Sequence, residues 1–241
     1  AHLVLLPEPP SRHARDHMLA ALASGAVLHA GSRADRDDPS RAIARFAPGD
    51  HPYVIPPGGT SALGNAGYVL AAAELADQIE RGELPGPSVI YVAAGTTGTA
   101  SGLWLGLASA GLGTVHLVAV RASGPGTARR ARVADEVRGT ARRLGMSNAP
   151  LTERFELEER FAGRGYAIPT DAGTRAIDLC RGDLRLDPTY TAKAFAALAA
   201  RAPEHRDQPV LFWHTFDSRL PSRGTTSVTD LPGGLRGYAR E

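Results

Sequence analysis

Ser88-Val-Ile-Tyr-Val-Ala93 runs without interruption into Ala94-Gly-Thr-Thr-Gly-Thr-Ala-Ser-Gly102, and Leu103-Trp-Leu-Gly-Leu-Ala108 follows. The first run reads as a buried strand, the second as a tight turn and the third as the continuation of a helix. A strand that turns directly into a helix needs a parallel neighbour and a covering layer, which constrains the chain to α/β architectures. The turn points several backbone N–H groups and threonine hydroxyls at one spot, and the positive end of the helix dipole adds to them. Such a spot suits a phosphate. The sequence holds a single lysine, Lys193, far from this loop along the chain.

The rest of the chain keeps the same rhythm. His2-Leu-Val-Leu-Leu6 and Ala26-Val-Leu-His-Ala30 read as strands, and Ala14–Ser24 has helical spacing with Gly25 as its stop. Asp38–Ala47 is a further helix with Pro39 in its first turn. The turn-rich segment Ala47–Pro52 marks a domain crossing, and Leu63–Arg81 is an amphipathic helix. Val115–Val120 is a buried strand, Ala128–Leu144 an arginine-rich helix, and Ala172–Cys180 another helix. Asp187 is placed as an N-cap with Pro188 at the first helical position, and Val210–Thr215 is a last strand. From Pro221 the chain is rich in Gly, Ser, Thr and charge, which predicts a mobile or loosely packed tail. The expected organisation is a small first domain over 1–50, a large domain over 51–220 and a tail over 221–241. The expected fold is α/β with mainly parallel sheets and flanking helices, where ligands lie at the carboxyl ends of the strands.

Composition narrows the function. With 241 residues and a formal net charge of +2, the chain shows no strong field toward nucleic acid. No apolar run reaches the ~18 residues of a membrane span. The single cysteine, Cys180, excludes an internal disulfide, fits a reducing, cytoplasmic setting and reads as a buried small hydrophobe. The histidines show no metal-ligand spacing beside carboxylates, and no G-x-S-x-G elbow is present. A Walker loop needs a Gly-Lys pair, which is absent. Gly95, Gly98 and Gly102 do not match the G-x-G-x-x-G dinucleotide spacing, although Arg121 after the next strand keeps an NADP-type domain in view. A glycine-rich βα turn that binds nothing is the plain alternative.

Three further segments join the loop. Tyr53-Val-Ile-Pro-Pro-Gly-Gly-Thr-Ser-Ala-Leu-Gly-Asn-Ala-Gly-Tyr68 resembles the "PYVIPxGGSxxLGxxGY" of the D-cysteine desulfhydrase and aminocyclopropane-carboxylate deaminase family. Ala94–Gly102 resembles that family's "xTGSGGTxAG", Leu186–Ala194 its "LDPVYTGKA", and Val210–Thr215 its "VLFxHTGG". The four occur in the family's order, over about Leu3 to Thr215. The resemblance implies a pyridoxal-phosphate enzyme with the tryptophan-synthase-β type of fold. It implies that Thr96, Thr97, Gly98 and Thr99 hold the cofactor phosphate through N–H and hydroxyl groups, that Thr215 faces the pyridine nitrogen, and that Tyr190 is an acid/base group on the substrate side.

The departures from the family are equally specific. The family's "GNKxRK" segment, which carries the Schiff-base lysine, and its "SNH/SNQ" segment, which contacts the substrate carboxylate, have no counterpart here. The match is to a form truncated at the N-terminus. Lys193 matches a family lysine that is not the Schiff-base residue, so it reads as structural or surface. Thr97 replaces a glycine, and Phe216-Asp217 replaces "GG". The expected function is the C-terminal part of a lyase or deaminase acting on a small amino acid, dependent on an N-terminal segment or partner chain for its amine. The expected state is a homo-oligomer or a complex with the chain supplying that segment. A non-catalytic homologue or partner subunit that keeps the fold is the second reading, and the NADP-type phosphate-ligand domain the third.

Overall fold

The computed structural model describes residues 1–49, 51–123, 130–146, 151–180, 182, 184–219 and 222–239. Asp50, within the expected domain crossing, and Ala128 and Arg129, at the expected start of the arginine-rich helix, lie outside the described residues. The chain divides into two compact units, Ala1–Ile55 with Arg219–Glu241, and Pro56–Ser218.

The first unit holds strands β1 (His2–Leu5) and β2 (Val27–Ala30), which pair in parallel, His2 opposite Val27 through Leu5 opposite Ala30. Helix α1 (Arg12–Ala23) crosses between them, capped by the Ser11 hydroxyl, and Gly25 leaves it at φ +81°. Helices α2 (Arg33–Asp37) and α3 (Pro39–Phe46) follow, α3 capped by the Asp38 carboxylate with proline in its first turn. The segment after Pro221 differs from the expected loose tail. It forms 3₁₀ turns at Val228–Asp230 and Gly233–Ala239, and Leu231 and Leu235 are buried against Met18, Leu19 and Leu28. Thr226 Oγ1 also donates to the Leu19 carbonyl at 3.0 Å. The polar composition concealed a few leucines, and burying each is worth ~1.5–3 kcal/mol, enough to order a short polar segment.

The second unit is a four-stranded parallel sheet in the order β5 (Phe155–Glu158), β4 (His116–Arg121), β3 (Val89–Ala94), β6 (Val210–Trp213). Both faces are covered. Ile90, Val92, Ala94, Leu117, Ala119 and Phe155 pack with Leu103, Trp104, Val133 and Val137 of α5 (Gly98–Ser109) and α6 (Arg130–Arg143). On the opposite face Val89, Tyr91, Val118 and Val120 pack with Ala194 and Ala197 of α8 (Thr191–Arg201). Central strands covered on both faces read as continuous apolar runs, so β3 and β4 were legible in the sequence. Strand β5 was not: four residues, Phe-Glu-Leu-Glu, alternate on the sheet's edge and carry two carboxylates.

Helix α4 (Ala62–Glu80) starts at the Ser61 cap and lies against α5. The stripe Gly98, Gly102, Gly106 explains how closely. A Cβ on Gly102 would fall 2.6 Å from Tyr68 Cβ, and one on Gly106 2.6 Å from Ala72 Cβ and 2.8 Å from the Val69 carbonyl oxygen. Two of the three glycines in the loop motif therefore begin a helix-packing stripe at four-residue spacing, which places them on one helix face. Helix α7 (Asp171–Leu179) is capped by the Thr170 hydroxyl and packs on α8. Helix α8 begins at Thr191, later than the expected start. Asp187 caps the preceding turn as well as the helix, accepting from the amides of Thr189, Tyr190 and Thr191 at 2.9, 2.8 and 2.9 Å.

Candidate functional site

Strand order places the site. The chain leaves β3 toward β4 on one side, while β6 comes in on the other, so the order reverses between β3 and β6. In open parallel sheets the crevice beyond the carboxyl ends at such a reversal receives ligands. The Gly95–Thr97 turn leaves β3 there. Thr215 follows the neighbouring β6 by two residues and is exposed.

The start of α5 is the unusual element. Helices α1, α3, α4 and α7 are each capped by a side chain, whereas α5 has none. Its first ladder bond runs from the Ser101 amide to the Thr97 carbonyl at 2.9 Å, so the amides of Gly98, Thr99 and Ala100 precede it. Gly98 and Ala100 are buried and Thr99 is half-buried. A helix start held inside the protein without a cap leaves donors that an anion satisfies.

The sequence motifs converge here. The Pro57–Gly59 turn presses on the loop: a Cβ on Gly58 would collide with Thr96 Oγ1. The hydroxyls of Thr60 and Thr96 share a hydrogen bond at 2.7 Å. Asn65, 1% exposed, sends its Nδ2 to Thr140 Oγ1 at 3.3 Å, while its Oδ1 is buried without a partner among the described residues. That oxygen would lie 2.7 Å from a Cβ on Gly98, so the orphaned acceptor borders the first turn of α5. Tyr190 closes another side. A Cβ on Gly95 would fall 2.8 Å from its Cε1, and its ring meets Tyr166 edge-on at 5.8 Å between centroids. The Ser123 hydroxyl donates to the Gly95 carbonyl at 3.2 Å.

The threonines divide their tasks. Thr97 is turned away from the helix start: its hydroxyl reaches Glu136 Oε2 at 2.7 Å, and Thr97 itself is 2% exposed at φ +80°. Thr96 is engaged with Thr60. The amides of Gly98 and Thr99 stand at the uncapped start of α5. Sequence reasoning did not single out Thr60, Asn65, Tyr166 or Glu136. Thr60 and Asn65 lay inside a quoted motif, whereas Glu136 comes from a helix 39 residues away and carried no local signal.

Lys193 is fully buried, which removes the surface alternative. Its Nζ donates to the carbonyls of Ala122, Ala162 and Gly165 at 3.2, 2.8 and 3.0 Å, so all three N–H bonds are spent on backbone. Burial pushes its pKa down, and the nearby Asp187 carboxylate opposes that shift. Arg121, the residue behind the NADP reading, is paired through Nη1 to Glu159 Oε1 at 2.7 Å. Cys180 is half-buried where a buried residue was expected, because it follows the last turn of α7 at the edge of its apolar cluster, and burial pushes its thiol pKa up. Phe216 lies edge-on to His214 at 6.4 Å between centroids. Among the described residues no helix is long and apolar enough to cross a membrane.

Comparison with known proteins decides the family. The model of the family described as pyridoxal-phosphate dependent enzyme matches residues 3–215. The chain belongs to the pyridoxal-phosphate-dependent enzyme family. Within that family it is similar to the D-cysteine desulfhydrases of Salmonella newport (strain SL254) and Salmonella heidelberg (strain SL476). Each is 38% identical over 174 residues, covering 70% of this chain and 51% of the relative. The chain thus spans about half the length of these curated relatives. The crystal structure of an ACC deaminase homologue superposes with a TM-score of 0.72 at 28% identity, covering 88% of this chain and 64% of that one. A pyridoxal-phosphate fold of parallel sheets with flanking helices is therefore shown on both sequence and structure.

Proposed function

We propose that the Pro56–Ser218 unit binds pyridoxal phosphate by its phosphate group. The amides of Gly98 and Thr99 receive the phosphate, with the Thr99 hydroxyl beside them and the Thr96–Thr60 pair shaping the wall. The observation that carries this reading is the buried, uncapped start of α5 at the reversal point of the sheet, in a chain of this family. Thr97 takes part through its backbone, and Thr215 borders the ring from the neighbouring strand. Tyr190, set against Gly95, serves as the acid/base group on the substrate side. When bound, the cofactor supplies an electron sink for charge developing next to the substrate amine.

The reaction class is that of a lyase or deaminase acting on a small amino acid, of the D-cysteine desulfhydrase or aminocyclopropane-carboxylate deaminase type. Such chemistry needs an amine that can shed its proton and bond the cofactor. Lys193 does not fit that task, because its ammonium is held by three carbonyls. The amine therefore comes from outside these 241 residues, from an N-terminal segment or a partner chain, in a cytoplasmic homo-oligomer or two-chain complex. The same observation favours a second reading, a non-catalytic subunit that keeps the fold and the phosphate cradle.

Thermal unfolding with added ligand tests the cofactor assignment. A ligand present at 100 times its Kd stabilises by about 2.7 kcal/mol. Pyridoxal phosphate should raise the Tm, and unphosphorylated pyridoxal should not. Equal responses to both, or none to either at millimolar concentration, would refute a phosphate cradle. Hydrogen sulfide release from D-cysteine by this chain mixed with a lysine-bearing segment of a relative, absent with either alone, separates the first reading from the second.

A further inference from the structure

We infer that Glu136 is a positioning residue for the phosphate loop: its carboxylate holds Thr97 in a left-handed backbone conformation and so fixes the amides of Gly98 and Thr99 as an anion cradle. The inference rests on the reading that this loop receives a phosphate.

Thr97 is the joint of the loop. It is the last residue before α5 and has φ +80° and ψ −5°. Among the described residues only Thr97 and Ala167 are non-glycine residues at positive φ. A β-branched side chain is stiff at χ1 and is an outlier in that region, so the conformation must be enforced by its surroundings. The enforcement is visible. Glu136 Oε2 accepts from Ser101 Oγ at 2.7 Å and lies 2.7 Å from Thr97 Oγ1, whose single proton it shares with the Thr96 carbonyl 2.5 Å away, and these two hydroxyls stand one turn apart at the start of α5. The other carboxylate oxygen is held by Arg132 Nε at 3.0 Å, one turn back on α6. The Glu136 carbonyl accepts from Thr140 Oγ1 at 2.8 Å, and that hydroxyl accepts from Asn65 Nδ2 at 3.3 Å. A continuous hydrogen-bonded path thus runs from α6 to α4 behind the loop.

The contribution is geometric. A carboxylate this near a phosphate repels it, and the Arg132 guanidinium only offsets that repulsion. If charge dominated, removing it would tighten phosphate binding. If the clamp dominates, removing the acceptor frees Thr97 to leave the left-handed region, and the cradle is lost with it. A glycine in place of Thr97 needs no clamp, because it populates positive φ readily.

The test uses the full chain, with pyridoxal phosphate and inorganic phosphate as titrants. It adds amide hydrogen exchange over residues 95–101 without ligand. A non-glycine residue in a sparsely populated backbone region stays there only while its surroundings hold it. Glu136→Ala should therefore weaken binding about tenfold, equivalent to about 1.4 kcal/mol, and speed exchange in the loop. Glu136→Gln keeps an acceptor and should stay within about twofold of the parent, given that a single neutral hydrogen bond is retained. In a Thr97→Gly background, Glu136→Ala should change neither affinity nor exchange. Equal losses in the parent and Thr97→Gly backgrounds would overturn the clamp, as would tighter binding by Glu136→Ala. Should Glu136→Ala alone fail to fold, the double variant decides: a folded, phosphate-binding protein supports the clamp and an unfolded one overturns it. If the parent binds neither titrant, the phosphate reading fails, while the exchange pattern still decides whether Glu136 holds the loop.

Discussion

Lys193→Ala is the substitution on which the account of this chain depends most. The side chain is 0% exposed and ties together the Ala122, Ala162 and Gly165 carbonyls. Truncation removes three methylenes, worth about 0.8 kcal/mol each, or ~2.4 kcal/mol in all. It also leaves three backbone acceptors without their donor, at ~1–3 kcal/mol for each one that stays dry. Against this stands relief from burying an ammonium, which offsets part of the loss. The net expectation is a destabilisation of ~3–5 kcal/mol, within the range of buried large-to-small changes. Lys193→Met keeps an unbranched apolar side chain of nearly the same length and loses the ammonium donor, so it should cost less than Lys193→Ala, ~1–3 kcal/mol for each carbonyl that stays dry, less the relief from burying the charge. Urea unfolding followed by tryptophan fluorescence measures both. The chain's two tryptophans, Trp104 and Trp213, lie in the Pro56–Ser218 unit, so the signal reports that unit. A loss under ~1 kcal/mol for Lys193→Ala, less than one typical buried hydrogen bond, would refute the structural role. It would also return Lys193 to the list of candidate reactive amines. A matching chemical result is expected: pyridoxal phosphate followed by borohydride should leave Lys193 unmodified in the folded chain.

Other outcomes follow from the same geometry. Gly106→Leu should separate α4 from α5, costing ~1–3 kcal/mol or more as overpacking, read as a fall in Tm; an unchanged Tm would mean the helices are not in contact there. Gly95→Val should displace the Tyr190 ring and weaken pyridoxal phosphate binding more than it lowers Tm, measured by titration beside melting. Acid should destabilise both units. Hydrogen bonds from the Ser32 hydroxyl and amide, with Arg45 and Arg41 nearby, hold Asp35 below the usual aspartate range, and the Arg160 guanidinium does the same for Glu158. A carboxylate whose folded pKa is depressed contributes its full stability above the unfolded value, about 4, and loses it as pH falls through the folded value. Stability against urea should begin to fall as pH drops through about 6.5, where burial holds His17, His29 and His116 below their unfolded value, and fall further below about pH 5; the part below pH 5 should shrink in Asp35→Asn and Glu158→Gln.

How far the sequence could be read follows from where each signal resides. Strands β3 and β4, the α4 and α5 helices and the phosphate-type loop are local: continuous apolar runs, a serine cap and a glycine-rich turn write themselves in adjacent residues. The family was legible for the same reason, since its motifs are short runs in a fixed order. The roles of individual side chains were less so. Gly98 and Gly102 look like parts of a phosphate cradle, and the packing shows that Gly102 admits the backbone of α4 while Gly98 admits the Asn65 side chain and Thr60. Thr97 looks like a phosphate ligand, and its hydroxyl turns to Glu136. Lys193 looks like a candidate surface cation and is the bolt of a buried loop junction.

The sequence by itself determined the α/β rhythm, the anion-suited loop and the lack of any lysine but Lys193. Only the tertiary structure decided which groups face that loop. Thr60, Asn65, Glu136 and Tyr190 come from the turn before α4, from α4 itself, from α6 and from the turn before α8, and no local pattern records which distant hydroxyl a carboxylate will meet. Hydrogen bonds over a few ångströms between residues tens of positions apart are set by how the layers pack, and packing is a property of the whole sheet with its covering helices.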